Sequence, residues 1–315
     1  MTSTARPYLH PQDFPRLTAF LSQVRTDVQQ AHYLHVGDLT WQMFHMLGAY
    51  QPADLVHIWE DAQEHMLGFV LLYPAYGGFD LQLHPQHRGG PLETEMLQWA
   101  ERHLPSSDSR FTLVNNHDTL RVTLLREHGY LPDGEWFYVE RRLNAALPQP
   151  ALPPGFTLRS VADDEDAAAR ALVLGAAFGA PPQPERYRYF MHAPGYVSDL
   201  DIVAVAPDQR FAAFAMGWLD PVTKVGQFEP VGTAPDFRRQ GLGQAVLYEG
   251  LRRLQQYGAE RVIVIVEAAE EAAVQLYAAV GFEKRWSLTL YTKRSTLEEG
   301  VRAPAANSNP VNPVP

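Results

Sequence analysis

Apolar and polar positions alternate along this chain in two series that follow the same plan. Each series opens with a helical segment, Asp13 to Val24 in the first and Asp163 to Phe178 in the second. Two apolar runs joined by a short polar turn come next and predict a strand pair. In the first half these are Leu55–Trp59, the turn DAQEH and Leu67–Tyr73; in the second they are Ile202–Ala206, the turn PDQR and Phe211–Leu219. A Pro-x-x-Arg segment then leads into a helix, at Pro85–Arg88 and at Pro235–Arg238. A β-rich run (Phe111–Asn115 or Arg261–Glu267) precedes a short helix ending in Gly129-Tyr130 or Gly281-Phe282. A last strand is expected to close each unit, near Trp136–Arg142 or Trp286–Lys293. Pro85 and Pro235 lie 150 positions apart, and Gly129 and Gly281 lie 152 apart. Order kept at a nearly constant offset implies duplication of a domain-sized unit.

The pattern is densest in the second half. Leu247, Leu251 and Leu254 recur at helical spacing and predict a core-facing stripe, with Gly258 placed as a C-terminal cap. The run RVIVIVE at Arg261–Glu267 is densely β-branched, as expected for a strand covered on both faces. Between the halves, Leu147–Gly155 reads LPQPALPPG. Proline fixes φ and removes backbone donors, so neither helix nor central strand continues through it. The expected organisation is an N-terminal domain 1–146, a linker 147–155, a C-terminal domain 156–298 and a tail 299–315 with too little apolar surface to fold.

Composition narrows the class. With 315 residues and ~100–200 residues per domain, two domains are expected. Apolar residues at 46% and charged residues at 20% are ordinary for a soluble globular protein. The formal net charge of −10 argues against nucleic acid as a partner, though Arg238–Arg239 still offers local charge to a small anion. No cysteine is present, so disulfides, thiolate metal sites and a cysteine nucleophile are excluded. The N-terminal stretch lacks a signal-like apolar run, and no segment approaches the ~20 apolar residues of a membrane span. A cytoplasmic protein without membrane contact is expected.

The segment Thr233–Gly243, TAPDFRRQGLG, carries the sharpest chemical signal. A strand-like run, Gly226–Thr233, stops at Pro235, and two arginines and two glycines then open a helix. N–H groups of a first helical turn lack intrahelical partners and, with the helix dipole, attract an anion. Gly241 and Gly243 allow close backbone approach, and Arg238 or Arg239 adds charge-assisted bonds. The order strand, arginines, glycines, helix points to a phosphate-binding turn.

These residues resemble the GNAT superfamily of N-acetyltransferases, specifically its tandem two-domain members, the type that includes mycothiol synthase. The signature [Arg/Gln]-x-x-Gly-x-[Gly/Ala] is matched by Arg238, Gly241 and Gly243, and the helix carrying Leu276-Tyr277 runs into Gly281-Phe282 at the family spacing. The resemblance covers about 140 residues of the second half and extends over the first through layout more than motif. It implies an α/β (α+β) fold of two tandem GNAT-like domains, each a mixed, mostly antiparallel twisted sheet flanked by helices. It implies acetyl-CoA as co-substrate, with Val231, Gly232 and Thr233 holding the pantetheine arm. The pyrophosphate would meet the backbone of Arg238, Arg239, Gln240, Gly241, Leu242, Gly243 and Gln244. Where the family often has Asn, Glu270 stands here, and an ionised carboxylate donates no hydrogen bond.

Acyl transfer to an amine needs a proton acceptor, oxyanion stabilisation and a proton for the leaving thiolate. The resemblance makes Tyr277 the acid and implies an oxyanion donor among the N–H groups of Val231–Thr233. Glu229, on the strand entering the site, is the candidate base through water, or alternatively a solvent-facing carboxylate on an edge; Glu267 is a further alternative. Matching Arg88 to Arg238 sets Pro91 opposite Gly241, Glu93 opposite Gly243 and Leu125 opposite Tyr277. Proline offers no N–H and glutamate adds like charge, so the first half is expected to be degenerate. Eleven of the twelve histidines lie there, but His84-x-x-His87 and the His57/His65 pair lack a third ligand at suitable spacing, so no metal is expected. The expected activity is direct acyl transfer in a ternary complex to a small-molecule, peptide or protein amine, by a monomer or homodimer. Asp199, Asp201 and Asp220 could attract a cationic amine. A non-catalytic acyl-CoA sensor and a scaffold without CoA binding are the alternative functions.

Overall fold

The computed structural model describes residues 3–9, 11–27, 31–105 and 109–294; the tail expected at 299–315 lies outside them. In the first half the elements are β1 (Thr4–Pro7), α1 (Asp13–Asp27), α2 (Val36–Trp41), α3 (Pro52–Leu55), β2 (Val56–Glu60), β3 (Met66–Tyr73) and β4 (Gly78–Leu83). They continue with α4 (Pro91–His103), β5 (Ser109–Asn115), α5 (Thr119–Glu127) and β6 (Leu131–Arg142). The second half has β7 (Thr157–Ser160), α6 (Asp166–Phe178), α7 (Pro184–Phe190), β8 (Asp201–Val205), β9 (Phe211–Asp220) and β10 (Val225–Thr233). It ends with α8 (Leu242–Gln256), β11 (Arg261–Glu267), α9 (Glu271–Ala279) and β12 (Glu283–Arg294). The proline-rich Leu147–Gly155 forms neither helix nor strand.

The fold is mixed α/β, with mostly antiparallel sheet flanked by helices. Its two compact units are interleaved in sequence. Unit 1 contains the residues up to Leu34, Leu47–Phe137 and the strand from Trp286; unit 2 contains His35–Met46 and Tyr138–Arg285. The expectation that each half's last strand closes its own unit is therefore not met. In unit 1 the sheet order is β1-β2-β3-β4-β5-β12, and β12 pairs antiparallel with β5, Leu288 opposite Asn115. In unit 2 the order is β6-β11-β10-β9-β8-β7. Strand pattern alone does not say which sheet a terminal strand joins, because alternation specifies a face and not a neighbour.

Both units contain a parallel step, β4–β5 in unit 1 and β10–β11 in unit 2. In unit 2 β10 pairs with β11 through a ladder of Val225–Gln227 against Arg261–Ile263. Beyond it β10 stays with β9, through a register shift between Phe228 and Val231. Leu247, Leu251 and Leu254 are fully buried, as the stripe predicted. Each such side chain contributes ~1.5–3 kcal/mol of burial, which holds α8 on the sheet. The opposite face carries a core of Trp41, Tyr187, Phe190, Met216 and Trp218. Unit 1 has its own core around Trp59, Phe79, Leu97, Leu125 and Tyr130.

Candidate active site

The turn after β10 is built as the sequence predicts. A single 3₁₀ turn, Pro235–Phe237, follows Thr233, and α8 starts behind Gly241. Gly241 takes φ 81°, a left-handed conformation that side chains disfavour, and Arg239 beside it takes φ 63°. The first intrahelical bond at this end runs from Ala245 N–H to Gly241 C=O at 3.1 Å. The N–H groups of Leu242, Gly243 and Gln244 precede it in the helix and have no intrahelical acceptor.

A cavity of about 690 Å³ opens at this turn. Among the residues expected at the cofactor, Val231, Gly232, Thr233, Arg238, Arg239, Gly241, Leu242, Gly243, Gln244 and Glu270 all line it, and Gln240 does not. Tyr277 lines it as well. Arg238 is held in the wall: its Nε donates to Thr233 O at 3.3 Å and its Nη2 to Ala177 O at 3.1 Å. Arg239 is exposed. Glu270 sits at the N-cap of α9, where its carboxylate makes no capping bond.

Tyr277 is only 8% exposed, and Phe282 packs edge-on against it at 5.7 Å. The Phe282 N–H donates to Tyr277 C=O at 3.0 Å, so the Gly-Phe turn that ends α9 also fixes the tyrosine. Burial first, and the nearby Glu229 carboxylate second, push the phenol above its ordinary pKa and keep it protonated. Glu229 does not line the cavity, yet its charge is felt at Tyr277. At 8% exposure it is not the solvent-facing edge carboxylate that the sequence left open. Burial, then the charge of Glu270, raises the Glu267 carboxyl, which also lies outside the cavity lining.

Sequence reasoning missed the far wall of the cavity. Ala177 and Phe178 come from the end of α6, and Ala273 and Leu276 from α9. Small residues at helical spacing beside Tyr277 were the available signal in α9; α6 gave none. The acidic candidates for an amine all have partners within the fold. Asp201 is fully buried and accepts from Arg170, Tyr187 and Tyr196. Asp220 is fully buried and caps its own turn through Thr223 at 2.7 Å. Asp199 pairs with Arg253 at 3.0 Å.

The equivalent turn of unit 1 is filled from within. Gly90 caps α4, Pro91 begins it, and the Glu93 carboxylate folds back to accept from the Gly89 N–H at 2.5 Å. Glu93 is fully buried and bonded to Arg121, while Arg88 pairs with Asp118. Burial would raise the Glu93 carboxyl; the charges of Arg121 and Arg88 and the Gly89 N–H outweigh it and leave its pKa lowered. Leu125, opposite Tyr277, is a fully buried core residue. Among the described residues no group of three or more His, Asp or Glu is placed to hold a metal, and no helix is long and apolar enough to cross a membrane.

Residues 168–282 match the acetyltransferase (GNAT) family. A mycothiol acetyltransferase of Nocardioides sp. is 28% identical over 234 residues, covering 68% of this chain and 79% of that protein. One from Saccharomonospora viridis is 28% identical over 218 residues, covering 65% and 70%. A GCN5-related N-acetyltransferase from Sphaerobacter thermophilus has a similar fold, with TM-score 0.66, 20% identity and coverage of 93% and 95%. A tandem GNAT protein from the clavulanic acid biosynthesis pathway also shares it, with TM-score 0.66, 13% identity and coverage of 93% and 98%.

Proposed function

We propose that this chain, whose residues 168–282 form an acetyltransferase domain of the GNAT family, transfers an acetyl group from acetyl-CoA to a primary amine at the single site of unit 2. One observation carries the reading. A cavity joins the N-terminus of α8 to a buried, protonated Tyr277, with the Glu229 carboxylate close enough to raise that phenol.

The unpaired N–H groups at the start of α8, with Arg239, hold the pyrophosphate. The pantetheine runs along Val231–Thr233, where β10 keeps β9 and lies beyond its Val225–Gln227 ladder with β11. Glu270 accepts from a pantetheine amide N–H where a side-chain amide would both donate and accept. Glu229 takes one amine proton through water as the nitrogen attacks the thioester carbonyl carbon. The N–C bond forms, the carbonyl oxygen takes negative charge beside the β10 backbone, and the C–S bond then breaks as Tyr277 gives its proton to sulfur. The relatives named mycothiol acetyltransferase make a mycothiol-related amine the first acceptor to test.

Thermal denaturation with and without acetyl-CoA tests the binding half of this reading, and free-CoA release across a panel of primary amines tests the chemical half. Stabilisation with no turnover on any amine would leave a sensor of acyl-CoA. The absence of stabilisation would remove the site altogether.

A further inference from the structure

The segment His35–Asp38 belongs to the first half of the sequence but to unit 2 of the structure. Nothing in the predicted pattern of elements reserved it for that place. It forms the N-terminus of α2 and is held as a reciprocal cap. The Gly37 N–H donates to His35 Nδ1 at 3.0 Å, and the His35 N–H donates to Asp38 Oδ2 at 2.8 Å. With Nδ1 accepting, the proton of the neutral ring sits on Nε2, which donates to Val225 O at 3.0 Å. Asp38 Oδ1 accepts from Gln227 Nε2 at 2.6 Å. Val225 and Gln227 are alternate residues of β10, and Glu229 is the next in that series.

The third connection runs through Trp218. It stands directly opposite Gln227 on β9, is 2% exposed, and donates its indole Nε1–H to Glu229 O at 2.6 Å. Gly37 lies against this indole so closely that an added Cβ would sit 2.3 Å from Trp218 Cγ. The gap admits a hydrogen and no methyl group. His35, Asp38 and Trp218 thus engage Val225, Gln227 and Glu229 in turn, the first two in the regular β9–β10 ladder and Glu229 within the register shift between Phe228 and Val231.

We infer that His35–Asp38 is a latch that positions Glu229, acting on the β10 backbone directly and through the Trp218 indole. This rests on Glu229 serving as the base. A shift of ~1 Å in a reacting group costs about 10²-fold in rate, so fixing the backbone that carries the carboxylate has a kinetic value separate from stability. His35, Asp38, Gly37 and Trp218 are positioning residues in this scheme: they act through Glu229, and the cofactor cavity is lined by none of them.

The test uses the full chain with acetyl-CoA and alaninamide as the probe amine, following free CoA. Variants are Trp218→Phe, which keeps a ring and removes the donor, Gly37→Ala, which displaces the indole, Glu229→Gln, and the double variant Trp218→Phe/Glu229→Gln. Trp218→Phe is expected to lower kcat about 10-fold and to move the acid limb of the pH profile, with the acetyl-CoA dissociation constant within about 2-fold of the parent. Gly37→Ala should act in the same direction. In the Glu229→Gln background the Trp218→Phe change should add nothing further, because the group it positions is gone. Full turnover by Trp218→Phe beside a slow Glu229→Gln overturns the latch and leaves the base in place. Additive losses in the double variant, or a weakened acetyl-CoA affinity in step with kcat, also overturn it, since Trp218 would then act on something other than Glu229. Full turnover by Glu229→Gln removes the base and the latch together.

Discussion

Two helix N-termini in this chain started from the same plan and differ in what neutralises them. At α8 the turn opens through Gly241 with φ 81°, the residues Leu242, Gly243 and Gln244 line a cavity, and the residue opposite Glu93 is Gly243. At α4 the turn opens through Gly90 and Pro91, and the chain supplies its own anion, Glu93, bonded to Gly89 N–H and Arg121. The dipole and the orphan donors are general properties of a helix start. At α4 the Glu93 side chain, reaching back into the turn, engages one of those donors within the fold.

The comparison breaks most sharply if the α8 turn is made to resemble α4. Gly241→Glu places a side chain at positive φ and a negative charge where the pyrophosphate is proposed to bind. Acetyl-CoA affinity is expected to fall by about 100-fold or more, measured by calorimetry, because a few kcal/mol of strain and repulsion suffice. Retained affinity would sink the phosphate assignment. The converse change is Glu93→Ala. It leaves Arg121 buried beside an empty turn, and losing one member of a buried pair costs ~3–5 kcal/mol. The expected result is a large fall in Tm with acetyl-CoA binding unchanged in the protein that remains folded.

Tyr277→Phe separates chemistry from binding. Turnover is expected to fall about 10²-fold while the acetyl-CoA dissociation constant stays within about 2-fold, and unchanged kcat would remove Tyr277 from the mechanism. Because the phenol is raised above its ordinary value, a pH–rate profile should show no alkaline limb from this group below pH 10. Glu93 gives the matching pH signature in unit 1. Its folded pKa lies below the ordinary 4.5, so its contribution to stability is complete above that value and is lost as pH falls through the lowered one. Parent and Glu93→Gln should therefore converge in stability under acid conditions and diverge near neutrality. The smallest effect is expected at Arg239, whose exposed guanidinium adds ~0.5–1 kcal/mol. Arg239→Ala should weaken acetyl-CoA binding about 2–5-fold, and the loss should shrink as salt is raised.

Much of this was legible in the residues. The stripe Leu247, Leu251 and Leu254 placed α8, RVIVIVE placed β11 with the boundaries observed, and the Pro-x-x-Arg turns marked both helix starts. These are local signals, written in spacing and in residues that dictate φ. Other features left little trace. The segment around α2 carries a short apolar pattern, and nothing in it points to Trp218 or β10. Glu229 read equally well as an edge carboxylate, because exposure depends on what packs over a strand.

The sequence by itself determined the α/β class, the helix start behind Gly241, and the proline and glutamate, Pro91 and Glu93, that stand at the matching helix start of the first half. Each follows from the conformational and charge properties of residues close together in the chain. Tertiary structure alone decided that β6 and β12 close sheets other than those of their own halves. It alone decided that His35–Asp38 serves unit 2, and that Asp201 and Asp220 are buried supports. Those outcomes depend on which distant surfaces exclude water together, and periodicity along a chain records the existence of an apolar face without recording its partner.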